Sequence, residues 1–362
     1  MKPINLPALT GLRIVGALWV ALFHYRDTFF LAWPMLSFLD PIFSAGYFGV
    51  PLFFILSGYL IWHNYGSEKL LEVRATTFFL WRRIARLWPV NLLSQLLAIP
   101  LIWYGITVKE NWGAPVPDWY SITGWLQSAF MIQEFFSPTQ IYPWNQPSWS
   151  LSGEMGAYVL FPVFTLIILS LRLNKIKLKG VFTVTAFLGA FYLSLTVHYF
   201  PYSWLVYLVA IFCLGILIRL GGIPTRFMQQ VAIGMQIVAP LVVVWVCYSG
   251  NLIYMYLALA IWVWSLTTEK GYISNFFASR KMIFAGEASY SLYMMHWILY
   301  GYLFILFESL PESLTPNLKI QTVIVFTMLG IISWATWKYI EKPSRNRMNR
   351  FLSAKWPQTK HS

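Results

Sequence analysis

Arg13 and His24 stand inside one apolar stretch, Leu9-Thr10-Gly11-Leu12-Arg13-Ile14-Val15-Gly16-Ala17-Leu18 running on to Leu22-Phe23-His24. An ionisable side chain is costly in such surroundings, so its default reading is a functional one. At about 100° and 1.5 Å per residue, eleven residues make roughly three turns, which puts both on one helix face about 16 Å apart along its axis. One would lie near a membrane surface and the other well across the bilayer. The imidazole is a natural general acid or base at neutral pH.

Three more segments carry ionisable groups at telling places. In Trp81-Arg82-Arg83-Ile84-Ala85-Arg86-Leu87-Trp88-Pro89, Arg83 and Arg86 are three apart and share a helix face. They read either as orientation charges or as a pair of guanidinium forks for phosphates. Pro147-Ser148-Trp149-Ser150-Leu151-Ser152-Gly153-Glu154 opens another apolar run, with Tyr158 and Phe161-Pro162 beyond it. Counting from the helix ends puts Glu154 and His24 at similar depth, so the carboxylate is expected to meet the imidazole and fix its tautomer. A plain polar contact between helices is the simpler alternative, and Asp27, one turn past His24, is a competing partner. Ala288-Ser289-Tyr290-Ser291-Leu292-Tyr293-Met294-Met295-His296 places a further histidine in mid-membrane, with a role in the bundle or as a structural hydrogen-bonding group.

The elements that must hold these groups follow from composition. With 58% hydrophobic and 11% charged residues in 362 and a mean hydropathy of +0.59, the chain has far more apolar material than one soluble core requires. Apolar windows of spanning length fall near 8–31, 46–65, 85–108, 149–171, 180–198, 202–220, 229–248, 251–267, 289–308 and 318–339. The expected fold is therefore an all-α polytopic membrane protein, a bundle of about ten transmembrane helices. Lys and Arg segregate to alternate loops: Lys69, Arg74, Arg82 and Arg83; Arg172, Lys175, Lys177 and Lys179; Arg219 and Arg226; Lys270, Arg280 and Lys281; and the basic end from Lys338 to Arg350. Both termini are then expected in the cytoplasm, with the first helix retained as a signal anchor and 346–362 as a short basic tail. The net charge of +13 is accounted for by this topology, and no basic run joins a nucleic-acid-reading module.

The long segment near 109–148 differs from the other loops. Pro115, Pro117, Pro138, Pro143 and Pro147 alternate with Trp112, Trp119, Tyr120, Trp125, Phe135, Phe136, Tyr142 and Trp144. The prolines prevent one continuous helix. The aromatics read as an interfacial belt or as rings that stack on a sugar. Cys213 and Cys247 are expected at different depths, unpaired and buried as small hydrophobes.

Taken together, Arg13 with His24, the Leu52-Phe53-Phe54-Ile55-Leu56-Ser57-Gly58-Tyr59-Leu60-Ile61 block, the Arg83-x-x-Arg86 pair, Trp149-Ser150-Leu151-Ser152-x-Glu154, Ser289-Tyr290-Ser291-Leu292-Tyr293 to His296, and Glu341-Lys342-Pro343 at the end of the last span resemble the acyltransferase-3 family. The motifs stand in order from residue 6 to 343, which frames residues 1–345 as one transmembrane domain. The resemblance implies an integral O-acyltransferase of the bacterial inner membrane. Such an enzyme moves an acyl group, commonly acetyl, from cytoplasmic acyl-CoA to an acceptor outside, such as O-antigen (lipopolysaccharide), exopolysaccharide, peptidoglycan or a small natural product. By position, His24 resembles the family's essential histidine, Glu154 the signature acid, and Arg13, Arg83 and Arg86 the residues associated with the donor. Trp149, Ser150, Ser152, Tyr290, Ser291 and His296 are expected to serve the acceptor or to support the site.

Acetyl-CoA would be a co-substrate, with no resident cofactor or metal; the other expected partners are membrane lipid and a carbohydrate or glycolipid. Three positions depart from common family patterns: Ile14 for a glycine, Pro51 for an aspartate and Met155 for a second glutamate. The last removes any carboxylate pair. His24 is left with two routes, general base for direct attack or carrier of the acyl group. The reading from another class is a proton-coupled transporter or flippase of a sugar or lipid-linked substrate, with His24, Glu154 and His296 as its relay. Absence of internal repeats and presence of the arginine pair speak for the enzyme.

Overall fold

A computed structural model describes residues 6–107, 120–136, 144–171, 202–222, 226–251 and 253–355. All regular structure among them is helical: α1 (Pro7–Ala32), α2 (Gly49–Tyr65), α3 (Val73–Thr107), the short α4 (Ile122–Ala129), α5 (Trp149–Ser170), α6 (Ser203–Gly221), α7 (Arg226–Ser249), α8 (Ile253–Leu266), the short α9 (Tyr272–Phe277), α10 (Arg280–Ser309), α11 (Leu318–Thr336) and α12 (Lys342–Lys355). Eight helical stretches are long and apolar enough to cross a membrane, and α8 is a shorter apolar helix. The chain is a multi-pass membrane protein. Nine of the ten expected windows coincide with these helices, and the tenth, near 180–198, lies outside the described residues.

Two boundaries differ from the sequence expectation in ways that matter for the site. α3 starts at Val73, twelve residues before its apolar window, because nothing from Thr76 to Trp88 breaks a helix. Arg83 and Arg86 are therefore well inside the helix instead of at its entrance. Pro89 and Pro100 also lie within α3, where neighbouring helices help to satisfy freed backbone groups. At the other end, Glu341-Lys342-Pro343 does not terminate the chain's last span. A π-helical turn over Trp337–Glu341 passes directly into α12, and Pro343 sits in its first turn, where a missing N–H costs little. Trp81 Nε1 donates to the Met348 carbonyl at 2.9 Å, pinning α12 against α3.

α1 is packed along α10 and also touches α2 and α11; α2 lies along α6, α7 along α8, and α5 against α6 and α3. The α1 and α10 backbones meet at glycines. A Cβ on Gly286 would strike the Thr10 carbonyl, and one on Gly11 would strike the Phe277 carbonyl at the end of α9 and crowd Met282 of α10. With little hydrophobic drive between helices in lipid, such close approach supplies the packing that holds them. The N-terminus of α1 is held from far along the chain, since Ala8 N–H donates to Glu269 Oε1 at 3.3 Å. Burial raises the Glu269 carboxyl above its ordinary range, and the bond from Ala8 opposes that shift. Glu269 itself occupies the left-handed region, with φ of 51°.

Within the aromatic segment, α4 is capped by Ser121, whose Oγ accepts from Gly124 N–H at 3.1 Å. Trp125 Nε1 donates to the Gln95 carbonyl at 3.1 Å, while Phe136 remains exposed. Trp112, Trp119, Pro115, Pro117, Pro138, Tyr142 and Pro143 lie outside the described residues.

Replacing Gly286 with Val should separate α10 from α1 and lower stability by about 1–3 kcal/mol or more, the cost of overpacking a closed contact. Thermal unfolding of the purified variant in detergent checks this; an unchanged midpoint would show that the two helices are not in backbone contact.

Candidate active site

One cavity opens in the interior between α1, α2, α3, α5 and α10. Its polar lining is Arg13, Ser57, Arg83, Arg86, Ser150, Glu154, Tyr158, Tyr290 and Tyr293, and its empty space is about 690 Å³ with the open mouth included. Three arginines thus face one carboxylate, an excess of positive charge in an apolar bundle. Such an arrangement favours an anion over a neutral guest. Arg13 lies over the Phe53 ring at 5.9 Å, and Arg83 lies 5.5 Å from the Tyr65 ring, 5.8 Å from Phe79 and 5.9 Å from Tyr158. These faces attract the guanidiniums through the ring quadrupoles, and Arg83 also hydrogen-bonds the Tyr65 side chain. Arg83 Nε is buried with no acceptor, so a donor is left for a guest.

Glu154 turns to its own helix for a partner. Tyr158, four residues on, donates to its Oε1, and the Tyr158 oxygen is also 3.4 Å from Ser57 Oγ. The expected meeting of Glu154 with His24 does not occur among the described contacts. Glu154 shares its cavity with Arg13, Arg83 and Arg86, and Arg13 is eleven residues, about 16 Å, from His24 along α1. Asp27 is no partner either, being 88% exposed and paired with Arg26 at 3.2 Å.

His24 instead meets His296. Its Nδ1 is 3.2 Å from His296 Nε2 and 3.0 Å from the Val20 carbonyl oxygen, and the two rings are 5.1 Å apart. His296 Nδ1 lies 2.6 Å from the Tyr293 carbonyl oxygen. His296 is fully buried and His24 partly so, in contact with the rings of Phe23 and Trp297. Phe53 and Tyr293, whose rings are 5.9 Å apart, both line the arginine cavity. Tyr293 is also 5.9 Å from the His296 ring. Its hydroxyl donates to the Pro147 carbonyl at 2.8 Å and lies 2.9 Å from Ser150 Oγ, which fixes the ring in place.

The remaining expected residues divide between cavity and scaffold. Tyr290 lines the cavity and donates to the Leu87 carbonyl at 2.7 Å, tying α10 to α3. Ser291 donates to Glu341 Oε2 at 2.7 Å, and Glu341 Oε1 is 3.8 Å from Arg345 Nη1, so the closing motif holds α10. Trp149 packs edge-on against Trp204 at 6.2 Å, and Ser152 is buried outside the cavity lining. Sequence reasoning gave Phe53, Ser57, Tyr158 and Tyr293 no role, although the i,i+4 spacing of Glu154 and Tyr158 could have indicated their bond.

Comparison with known proteins agrees with this arrangement of motifs. Residues 6–337 match the family described as Acyltransferase domain, acyltransferase-3. The chain is 32% identical over 169 residues to "Acyltransferase MdmB" of Streptomyces mycarofaciens, covering 45% of this chain and 40% of that protein. It is 21% identical over 382 residues to "Putative peptidoglycan O-acetyltransferase YrhL" of Bacillus subtilis (strain 168), covering 96% of this chain and 56% of that one. It is 22% identical over 380 residues to "Putative O-acetyltransferase SACOL0978" of Staphylococcus aureus (strain COL), covering 94% and 57%. The chain spans about half the length of these curated relatives. No solved structure matches. The matched span takes in the arginine cavity and the histidine pair alike, and the chain belongs to the acyltransferase-3 family.

Proposed function

We propose that this protein transfers an acyl group, acetyl in the simplest case, from acyl-CoA at the cytoplasmic side to a hydroxyl of a carbohydrate acceptor beyond the membrane. The observation that carries the reading is the cavity in which Arg13, Arg83 and Arg86 face Glu154. The CoA diphosphate and ribose phosphate suit guanidinium forks, and a polyanion stays out of hydrocarbon. In this reading Arg83 and Arg86 hold the phosphates while the slender pantetheine arm reaches past Arg13 toward Tyr293. Only the acyl group needs to travel. The segregation of basic residues to alternate loops supports a cytoplasmic entrance, and the bacterial sources of the relatives support a bacterial cell membrane.

His24 is the base of the reaction. The acceptor hydroxyl oxygen attacks the thioester carbonyl carbon as its proton passes to the imidazole. The C–S bond then breaks, and the departing thiolate takes that proton, leaving an ester, free CoA and neutral His24. An acyl-histidine would need the same nitrogen as nucleophile. The direct route asks less of a ring whose other nitrogen is already engaged with Val20 and His296. The relatives' names support O-acetylation, and the peptidoglycan named for one of them belongs to the same chemical class of acceptor as the one proposed here.

His24→Ala should leave a folded, membrane-inserted protein with turnover lowered about 10²–10⁴-fold, the usual worth of general base catalysis. Purified variant and wild type compared for acyl-CoA consumption decide it, and more than a tenth of wild-type turnover would make His24 structural. Arg83→Lys and Arg86→Lys keep the charge and lose the planar fork. Acyl-CoA affinity should weaken by about 1–3 kcal/mol in each. Calorimetric titration with acetyl-CoA reads this, and unchanged affinity in both would leave these arginines as orientation charges.

A further inference from the structure

The contacts around His296 determine where the protons of both imidazoles sit. His296 Nδ1 and the Tyr293 carbonyl oxygen are 2.6 Å apart, a separation that two lone pairs would not tolerate, so Nδ1 carries the hydrogen and donates it. In the neutral ring Nε2 is then bare. That bare nitrogen lies 3.2 Å from His24 Nδ1, which also faces the Val20 carbonyl oxygen at 3.0 Å. Two acceptors converge on one nitrogen, so His24 Nδ1 must bear a hydrogen shared between them. His24 Nε2 is left as the unprotonated nitrogen.

We infer that His296 is a positioning residue, a neutral acceptor that takes the Nδ1–H of His24, fixes its ring and leaves Nε2 bare as the reacting nitrogen. The inference rests on the proposed role of His24 as base. A carboxylate would do the same work with a full negative charge. In this interior the neutral imidazole does it without adding a buried anion, and Glu154 is engaged with Tyr158. When His24 takes the acceptor proton on Nε2, its Nδ1–H becomes a stronger donor, and His296 Nε2 answers with a charge-assisted hydrogen bond. His296 itself gains no proton at any step. Its burial and its bond to Tyr293 keep the ring from turning.

Two variants separate this role from simple space filling. The His296→Gln side chain can donate its NH2 to the Tyr293 carbonyl and accept from His24 through its amide oxygen, whereas His296→Phe keeps the bulk and accepts nothing. His296→Gln should hold kcat within about tenfold of wild type, and His296→Phe should lose a further tenfold to hundredfold with KM for acetyl-CoA unchanged, the scale at which partners that orient a histidine act. Equal kcat in the two variants, or a loss confined to KM, overturns the inference. The second readout does not depend on turnover. With 15N-labelled histidine in nanodiscs, the five histidines resolve as ring nitrogens with or without hydrogen, and His24→Gln and His296→Gln identify the two signals. At a pH where both rings are neutral, His24 should show a protonated Nδ1 coupled through its hydrogen bond to a bare Nε2 of His296. A protonated His296 Nε2 overturns the assignment. Should His24→Ala keep its turnover, the proposed function loses its base while the nitrogen signals still report the pair. Should His24→Ala be inactive and His296→Phe match His296→Gln, the positioning role alone fails.

Discussion

The site depends first on how closely α1 can approach α10. Both helices are apolar on most faces, so lipid competes well for their side chains, and what remains to hold them is packing and polar contact. Gly286 removes the side chain that would keep the backbones apart, and the Thr10 carbonyl occupies that space, while Gly11 makes room for the Phe277 carbonyl at the end of α9. The same contact, continued along both helices, brings His24 to His296 and lets Tyr300 donate to the Ala21 carbonyl at 3.0 Å. The Glu269 cap on Ala8 fixes where α1 begins and hence the height at which His24 arrives. A shift of one residue would turn the imidazole by about 100° and part the pair.

Charge divides the interior into two compartments. Arg13, Arg83, Arg86 and Glu154 share the cavity, while the histidines form a separate pair that adjoins it at Tyr293. In the proposed reaction a polyanion and an uncharged base must both be held, and separation serves both, because a nearby arginine disfavours protonation of an imidazole. The cavity wall reaches the histidine pair. Its Tyr293 is bound at the hydroxyl by Pro147 and Ser150 and at the carbonyl by His296, so one residue links the cavity wall to the histidine pair.

Most of the architecture could be read from hydrophobic windows, because in a membrane each span must be long, apolar and helical. The site residues could be named for the same reason: arginine, histidine and glutamate are rare enough in such spans to draw notice. Their partners could not. Counting residues gives depth along the membrane normal, and by depth His24 and Glu154 belonged together. Which helices adjoin is set by close contacts such as Gly286 against Thr10, and no periodicity within one helix reports those. His24 and His296 are 272 residues apart, and Ala8 and Glu269 are 261 apart. Continuation past Pro343 was hidden for another cause: a π-turn can carry a helix through a proline that usually ends one.

The central claim is that one path joins the arginine cavity to the histidine pair, with a CoA thioester lying along it. Electron cryomicroscopy of the protein in nanodiscs with a non-hydrolysable thioether analogue of acetyl-CoA tests this most directly. The account predicts phosphate density against Arg83 and Arg86 and the acyl end beside Tyr293, turned toward His24. Phosphates bound away from both arginines, or an acyl end on the far side of Glu154 from the histidines, would contradict it.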